Sequence, residues 1–161
     1  MPRRPGALRA VLRNSARAIV IRDGRILLTR NEDASGPYYL LPGGGQKPGE
    51  TLHDALRREC LEETCAEVSV GPLLFVREYI GARHEFAEFD KGLHQVEFMF
   101  LCSLAAGAEA RHPEKCDPRQ AAVEWVDLSR LHEYPFYPRV LIPVLEARDF
   151  HGPPVYLGDT L

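Results

Sequence analysis

The sequence lacks the features of membrane and secreted proteins. No apolar stretch approaches the ~20 residues that a membrane-spanning helix needs. No sustained apolar run follows the arginines near the N-terminus, as a secretory signal would require. Acidic and basic residues almost balance, at a net charge of −3, which gives no sign of general affinity for nucleic acid or anionic membranes. We therefore expect a cytoplasmic protein that binds neither.

Cysteine is also scarce. The chain has four cysteines, none in a CxxC spacing: Cys60, Cys65, Cys102 and Cys116. This pattern indicates neither a zinc site nor a disulfide framework. We expect reduced, mostly buried thiols.

The length permits one well-cored domain, with 161 residues of which 45% are hydrophobic. We predict a basic N-terminal arm over residues 1–14, a single domain over 15–150 and an extended tail over 151–161. Five arginines mark the N-terminal region: Arg3, Arg4, Arg9, Arg13 and Arg17. We interpret them as solvated charges of a frayed arm, and the alternative is contact with polyphosphate or RNA.

Periodicity predicts an α+β fold. Asp23-Gly24 is a hairpin signal between two apolar segments, and residues 93–104 (LHQVEFMFLCSL) alternate as a strand does. The order along the chain is strands, one helix, strands and then helical turns. This order favours a layered domain with a mixed sheet between helices.

Carboxylates cluster on the predicted helix that starts at Leu52. Stepping about 100° per residue, Glu59 and Glu63 fall within its apolar stripe and Glu62 lies close to it. Three such carboxylates repel one another unless a cation accompanies them. The alternative is a solvated acidic patch that nearby arginines partly neutralise.

A glycine-rich turn precedes this helix. Residues 41–45 (LPGGG) provide backbone that a ligand can approach closely, and a helix N-terminus favours phosphate. A phosphate site and a metal site are therefore predicted side by side.

Residues 44–66 resemble the Nudix box of the MutT-like pyrophosphohydrolases. The positions that match in register are Gly44, Glu50, Arg58, Glu59, Glu62 and Glu63. The sequence departs from the pattern at Cys60, Cys65 and Ala66. Cys65 replaces the closing glycine, and a left-handed residue at a helix end costs about 1 kcal/mol when it is not glycine.

The resemblance implies a Nudix-like α/β/α sandwich and hydrolysis of a phosphoanhydride. The implied substrate is a nucleoside diphosphate linked to another moiety, namely a nucleoside triphosphate, ADP-ribose or another nucleotide sugar, or a dinucleoside polyphosphate. The implied cofactor is Mg²⁺ or Mn²⁺. The resemblance is also compatible with a homodimer, and with a non-catalytic nucleotide-binding or regulatory domain of the same fold.

The resemblance also implies a role for each residue that matches the Nudix box by position. Glu59, Glu62 and Glu63 become metal ligands together with the Gly43 carbonyl, Glu59 is also a candidate general base, and Arg58 orients the acids. The predicted phosphate or substrate contacts are Gly44, Gly45, Glu50 and Tyr39. Tyr39 either stacks on a base or packs beneath the turn. A further acid from outside the box is expected, with Glu97 and Asp117 favoured among Glu85, Glu88, Asp90 and Glu124. We expect residues 81–92 to border the cleft.

Overall fold

The computed structural model describes residues 11–161. The strands are β1 (Val11–Arg22), β2 (Arg25–Asp33), β3 (Gly36–Leu40), β4 (Gly43–Gly45), β5 (Val68–Ile80), β6 (Leu93–Leu104), β7 (Gln120–Asp127), β8 (Phe136–Tyr137) and β9 (Val155–Asp159). The helices are α1 (Leu52–Thr64), α2 (Ala87–Asp90) and α3 (Ile142–Ala147). Short 3₁₀ turns occupy Gly81–Arg83, Leu128–Glu133 and Arg139–Leu141.

β1 lies at the centre of a mixed sheet. The strand order is β8-β3-β2-β1-β6-β5-β9, with β4 paired to β1 and β7 paired to β2. β1 runs parallel to β6, from Val11 opposite Leu93 to Val20 opposite Cys102, and antiparallel to β2 and β4. The predicted mixed sheet is confirmed.

Alternation along β1 divides the core into two layers. Ala16, Ala18 and Val20 pack with Leu56 and Cys60 of α1 on one face. Ile19 packs on the other face with residues of β2, β6 and the C-terminal helical segments, including Leu28, Met99, Leu131, Leu141 and Leu145. Because side chains alternate between faces, one strand serves both layers. The predicted sandwich of a sheet between helices is confirmed.

Helix α1 begins and ends at residues with specific caps. The Thr51 hydroxyl accepts from the Asp54 amide at 3.1 Å, and the Asp54 carboxylate accepts from the Thr51 amide at 3.0 Å, which forms a capping box. The helix ends at Cys65, whose φ of 56° is left-handed. Cysteine thus adopts the conformation that glycine adopts more easily. No helix within residues 11–161 is long and apolar enough to cross a membrane.

Both predicted ends of the chain contribute to the sheet. β1 begins at Val11, so Arg13 and Arg17 belong to a strand rather than to an arm, whereas Arg3, Arg4 and Arg9 lie outside the described residues. The segment predicted as a tail contains β9, which pairs in parallel with β5. Pairing satisfies the amide and carbonyl groups along the edge of β5, which explains why the segment folds back.

Candidate active site

Two glycines of β4 give neighbouring groups the space to approach the backbone. A Cβ on Gly43, where φ is +135°, would collide with the backbone of β1 at Ala16. A Cβ on Gly44 would lie 2.5 Å from the carboxyl carbon of Glu59. The absent side chains therefore allow the turn to sit against β1 and the Glu59 carboxylate to sit against the turn.

Arg58 connects the acids of α1 to this turn. Its Nε and Nη2 donate to the two carboxylate oxygens of Glu50 at 2.6 and 2.9 Å, and Nη1 donates to Glu59 at 2.8 Å. Nη1 also reaches Glu62 at 3.4 Å, and Nη2 donates to the Gly45 carbonyl at 3.0 Å. The Arg58 guanidinium, with the Lys47 amide, lowers the pKa of Glu50 to about 2. Arg58 thus holds the predicted acids in fixed orientations.

Glu63 combines a hydrogen bond from the glycine turn with a raised pKa. Its Oε2 accepts from the Gly43 amide at 2.9 Å. Burial raises the pKa of Glu63 to about 7, and the charges of Glu59 and Asp117 add to the increase, against the opposing effect of Arg17 and the Gly43 amide. The ionised form of Glu63 is therefore incompletely compensated by its surroundings.

The acids fit a hard divalent cation by their chemistry. Carboxylate oxygens are the ligands that Mg²⁺ prefers, and a cation beside Glu63 would offset its uncompensated charge. Within residues 11–161, no three His, Cys, Asp or Glu side chains converge on one point. The Glu59 carboxylate faces Gly44 and Arg58, while the Glu62 side chain is 56% exposed. Carboxylates suited to a divalent cation are therefore adjacent on α1, but their oxygens do not surround a single point.

The Gly43 carbonyl, predicted as a further metal ligand, is engaged by Arg17. Nη1 of Arg17 donates to this oxygen at 2.7 Å and to the Leu41 carbonyl at 3.3 Å. Sequence reasoning missed this role because it assigned Arg17 to the solvated arginines. The alternation of β1 was the available signal, since it places Arg17 on the same face as the buried Ile19.

The amides at the N-terminus of α1 are also less available than predicted. The capping box of Thr51 and Asp54 uses two of them and adds an acidic group there. The Glu50 carboxylate accepts from the Lys47 amide at 2.9 Å nearby. These contacts place carboxylates where phosphate was expected, so the glycine turn is the better phosphate contact.

The two favoured additional acids occupy different environments. Glu97 is 4% exposed and forms ion pairs with Arg17 and Arg77. Burial opposes its ionisation, but the two guanidiniums hold the pKa of Glu97 below its usual value. Asp117 is exposed and lies close enough to Glu63 to raise its pKa. Gln120 connects the segment of Asp117 to α1, since its side chain donates to the Glu63 carbonyl at 2.7 Å and its backbone amide donates to the Asp117 carbonyl at 2.9 Å. Asp117 is therefore the better candidate for an additional acid beside α1.

Tyr39 packs in the core. It is 8% exposed, its hydroxyl donates to Glu124 at 3.2 Å, and its ring meets Tyr134 edge-on at 5.2 Å. The structure therefore places Tyr39 in the core, where its ring is not available to stack on a base.

Residues 81–92 fold against the sheet face that carries Arg77. The His84 ring stacks on Tyr79 at 5.1 Å, and its Nε2 is 2.6 Å from the Asp159 carboxylate. Phe86 meets Tyr137 edge-on at 5.6 Å. Tyr137 lines a narrow pocket with Arg17 and Arg77. Residues 81–92 therefore contact the wall of this pocket where Phe86 meets Tyr137.

Comparisons with known proteins agree with this geometry. The family model for the NUDIX domain matches residues 11–145. The chain is similar to the E. coli ORF135 protein, with 25% identity, a TM-score of 0.60, and coverage of 85% of this chain and 88% of that one. It is similar to a MutT NUDIX hydrolase from Burkholderia pseudomallei, with 28% identity, a TM-score of 0.58, and coverage of 74% and 85%.

A NUDIX hydrolase from Nitrosomonas europaea shares the fold at 17% identity, with a TM-score of 0.70 over 90% of this chain and 94% of that one. A comparison with curated proteins finds no match.

The family model covers most of the chain, the acids lie beside the glycine turn, and the hydrolase from Burkholderia pseudomallei aligns along most of its length. The chain therefore belongs to the NUDIX family of hydrolases.

Proposed function

We propose that this protein is a metal-dependent pyrophosphohydrolase that cleaves a phosphoanhydride bond in a nucleoside diphosphate linked to another moiety. The observation that carries the proposal is the arrangement of Glu59, Glu62 and Glu63 on one helix, with Glu59 against Gly44 and Glu63 bonded to the Gly43 amide. Adjacent carboxylates, of which Glu63 is incompletely compensated, beside a backbone without side chains suit a cation and an anionic diphosphate together.

We assign the metal ligands to Glu59, Glu62 and Glu63, with Asp117 as the additional acid. A bound Mg²⁺ or Mn²⁺ would neutralise the diphosphate and lower the pKa of its coordinated water. We leave the Gly43 carbonyl out of this set because Arg17 already donates to it at 2.7 Å.

We assign substrate approach, orientation of the acids and proton abstraction to other residues of the turn and of α1. Gly44 and Gly45 have no side chains of their own, so a diphosphate can approach the backbone of the turn beside the Glu59 carboxylate and the Arg13 guanidinium that lie against it. Arg58 holds Glu50 and Glu59 in place through hydrogen bonds of 2.6 and 2.8 Å, so that the carboxylates need not reorganise during the reaction. We assign the general base to Glu59, whose carboxylate lies against Gly44 and keeps a fixed orientation through its 2.8 Å hydrogen bond from Arg58.

The substrate remains within the class that the family acts upon, nucleotide-type small molecules. A nucleoside triphosphate, a nucleotide sugar such as ADP-ribose, and a dinucleoside polyphosphate all contain the required diphosphate. The residues described above contact that shared part and do not distinguish the three.

A panel of these compounds, incubated with Mg²⁺ or Mn²⁺, tests the proposal through release of phosphate or nucleoside monophosphate. We expect turnover that falls about 10²–10⁴-fold in Glu59→Gln or Glu62→Gln. Glu67→Gln is the matched control, since Glu67 is exposed and lies just beyond the same helix. Nucleotide binding without turnover would instead support the non-catalytic alternative, and full activity in Glu62→Gln would contradict the assigned roles.

A further inference from the structure

One face of β1 is polar over the first part of the strand, from the exposed Arg13 through the buried Ser15 to the partly buried Arg17. Arg13, Ser15 and Arg17 share this face because they are two residues apart. The strand register places Ser15 opposite Glu97 on β6, and Glu97 opposite Arg77 on β5. Polar side chains that converge beside a catalytic turn are typical of a ligand-binding surface.

Arg13 differs from the other two arginines on this face. Arg17 and Arg77 both form ion pairs with Glu97. The ion pairs among residues 11–161 include none to Arg13. Residues 1–10 contain no aspartate or glutamate that could supply one. Arg13 therefore presents an exposed guanidinium that no carboxylate of residues 11–161 pairs with.

Gly45 places this charge beside the active-site turn. A Cβ on Gly45 would lie 2.9 Å from the guanidinium carbon of Arg13, with Nη2 closer still, so the guanidinium rests directly on the turn. A Cβ on the preceding Gly44 would instead meet Glu59 at 2.5 Å. Successive residues of a strand face opposite sides. Arg13 and Glu59 therefore flank β4 from its two sides, and a ligand that contacts both must cross the turn.

Ser15 provides a second, independent indication of a ligand. It pairs with Gly45 across the β1–β4 register and is 0% exposed. Its hydroxyl has no hydrogen-bond partner within the described part of the chain. A buried hydroxyl left without a partner costs about 1–3 kcal/mol, which a bound acceptor would remove.

We propose that Arg13 and the Ser15 hydroxyl bind a phosphate group of the substrate beyond the anhydride that is cleaved at the acids of α1. The inference rests on the proposed function and narrows its substrate class. A guanidinium and a hydroxyl both donate to phosphate oxygens. A nucleoside triphosphate or a dinucleoside polyphosphate supplies such a third phosphate, whereas a nucleotide sugar does not.

Calorimetric binding of inorganic tripolyphosphate and pyrophosphate to the whole chain, with Mg²⁺ present, tests this site without hydrolysis as the readout. We expect tighter binding of tripolyphosphate, and an affinity about tenfold lower for that anion alone in Arg13→Gln. Arg13→Lys should retain part of the preference, because it keeps the charge but not the planar donor pair. Ser15→Ala should reduce tripolyphosphate binding about threefold.

Arg25→Gln is the matched control, since Arg25 is an exposed strand arginine at the far end of the β1–β2 pair. Equal affinity of the wild-type chain for the two anions would overturn the inference, as would an unchanged preference in Arg13→Gln at an unchanged melting temperature. Loss of the preference in Arg13→Gln, in a chain that hydrolyses nothing, would sustain this site and refute the proposed function. Hydrolysis by the wild-type chain, together with an unchanged preference for tripolyphosphate in Arg13→Gln, would support the proposed function and refute this site.

Discussion

Replacing Glu63 by glutamine should stabilise the metal-free protein, and only at neutral or alkaline pH. The Glu63 carboxylate accepts from the Gly43 amide at 2.9 Å, and the amide oxygen of glutamine can accept the same hydrogen bond. The substitution therefore keeps the contact and removes the charge. Any gain in stability then measures the free energy that the buried charge costs.

The magnitude follows from the raised pKa of Glu63. Its pKa rises from an ordinary 4.5 to about 7, and each pKa unit corresponds to about 1.4 kcal/mol, so ionisation costs roughly 3–4 kcal/mol in the folded state. A carboxyl with a raised pKa binds more protons when folded than when unfolded. Stability is therefore lost as pH rises from 4.5 to about 7, and the loss is complete above that interval.

Urea unfolding in EDTA at about pH 4.5 and about pH 8 provides the assay. We expect equal stabilities at the lower pH, and a gain of roughly 3–4 kcal/mol for Glu63→Gln at the higher pH, which is about 6–16 °C in melting temperature. Glu62→Gln is the control, because that side chain is 56% exposed and should show no such gain. Mg²⁺ should stabilise the wild type more than Glu63→Gln at the higher pH. A loss of stability at both pH values would refute the reasoning.

Three further substitutions test other contacts. Gly44→Ala should reduce turnover about tenfold or more, because its Cβ would lie 2.5 Å from the carboxyl carbon of Glu59, whereas Gly92→Ala, with open space around it, should not. Glu97→Gln should cost about 3–5 kcal/mol in urea unfolding, since it removes the charge that neutralises the buried Arg77 and the partly buried Arg17. Cys65→Gly should raise stability by about 1 kcal/mol because φ is 56° there, and Cys65→Ala should not share that gain.

The sequence was most informative about α1 and its neighbouring turn. Fixed spacing along one helix determines which side chains are adjacent, so Arg58 and its acids could be placed together before any tertiary contact was known. The cap at Thr51 and the left-handed exit at Cys65 are likewise local properties. The mixed sheet followed from the order of the predicted elements.

Roles that depend on long-range pairing could not be read in the same way. Alternation along β1 gives the direction of the Arg17 side chain, but its partners became known only when β1 was paired with β4, which carries Gly43, and with β6, which carries Glu97. β9 was interpreted as a tail because five residues with little alternation do not reveal the partner that makes them a strand. Glu97 and Asp117 could not be distinguished, since spacing gives no direction for a side chain contributed by a distant strand or loop.

The separation between Arg17 and Glu97, 80 residues along the chain, has a consequence for biosynthesis. The first strand, the glycine turn and the following helix emerge from the ribosome well before the strand that carries Glu97. Until then Arg17 has no carboxylate partner, and the central strand has one unpaired edge. Topologies with such distant pairings fold slowly, and strand edges that are prone to aggregation stay exposed until the partner strand has been synthesised. The glycine turn can therefore reach its final support only late in synthesis, and slower translation between residues 45 and 93 would prolong that exposed stage.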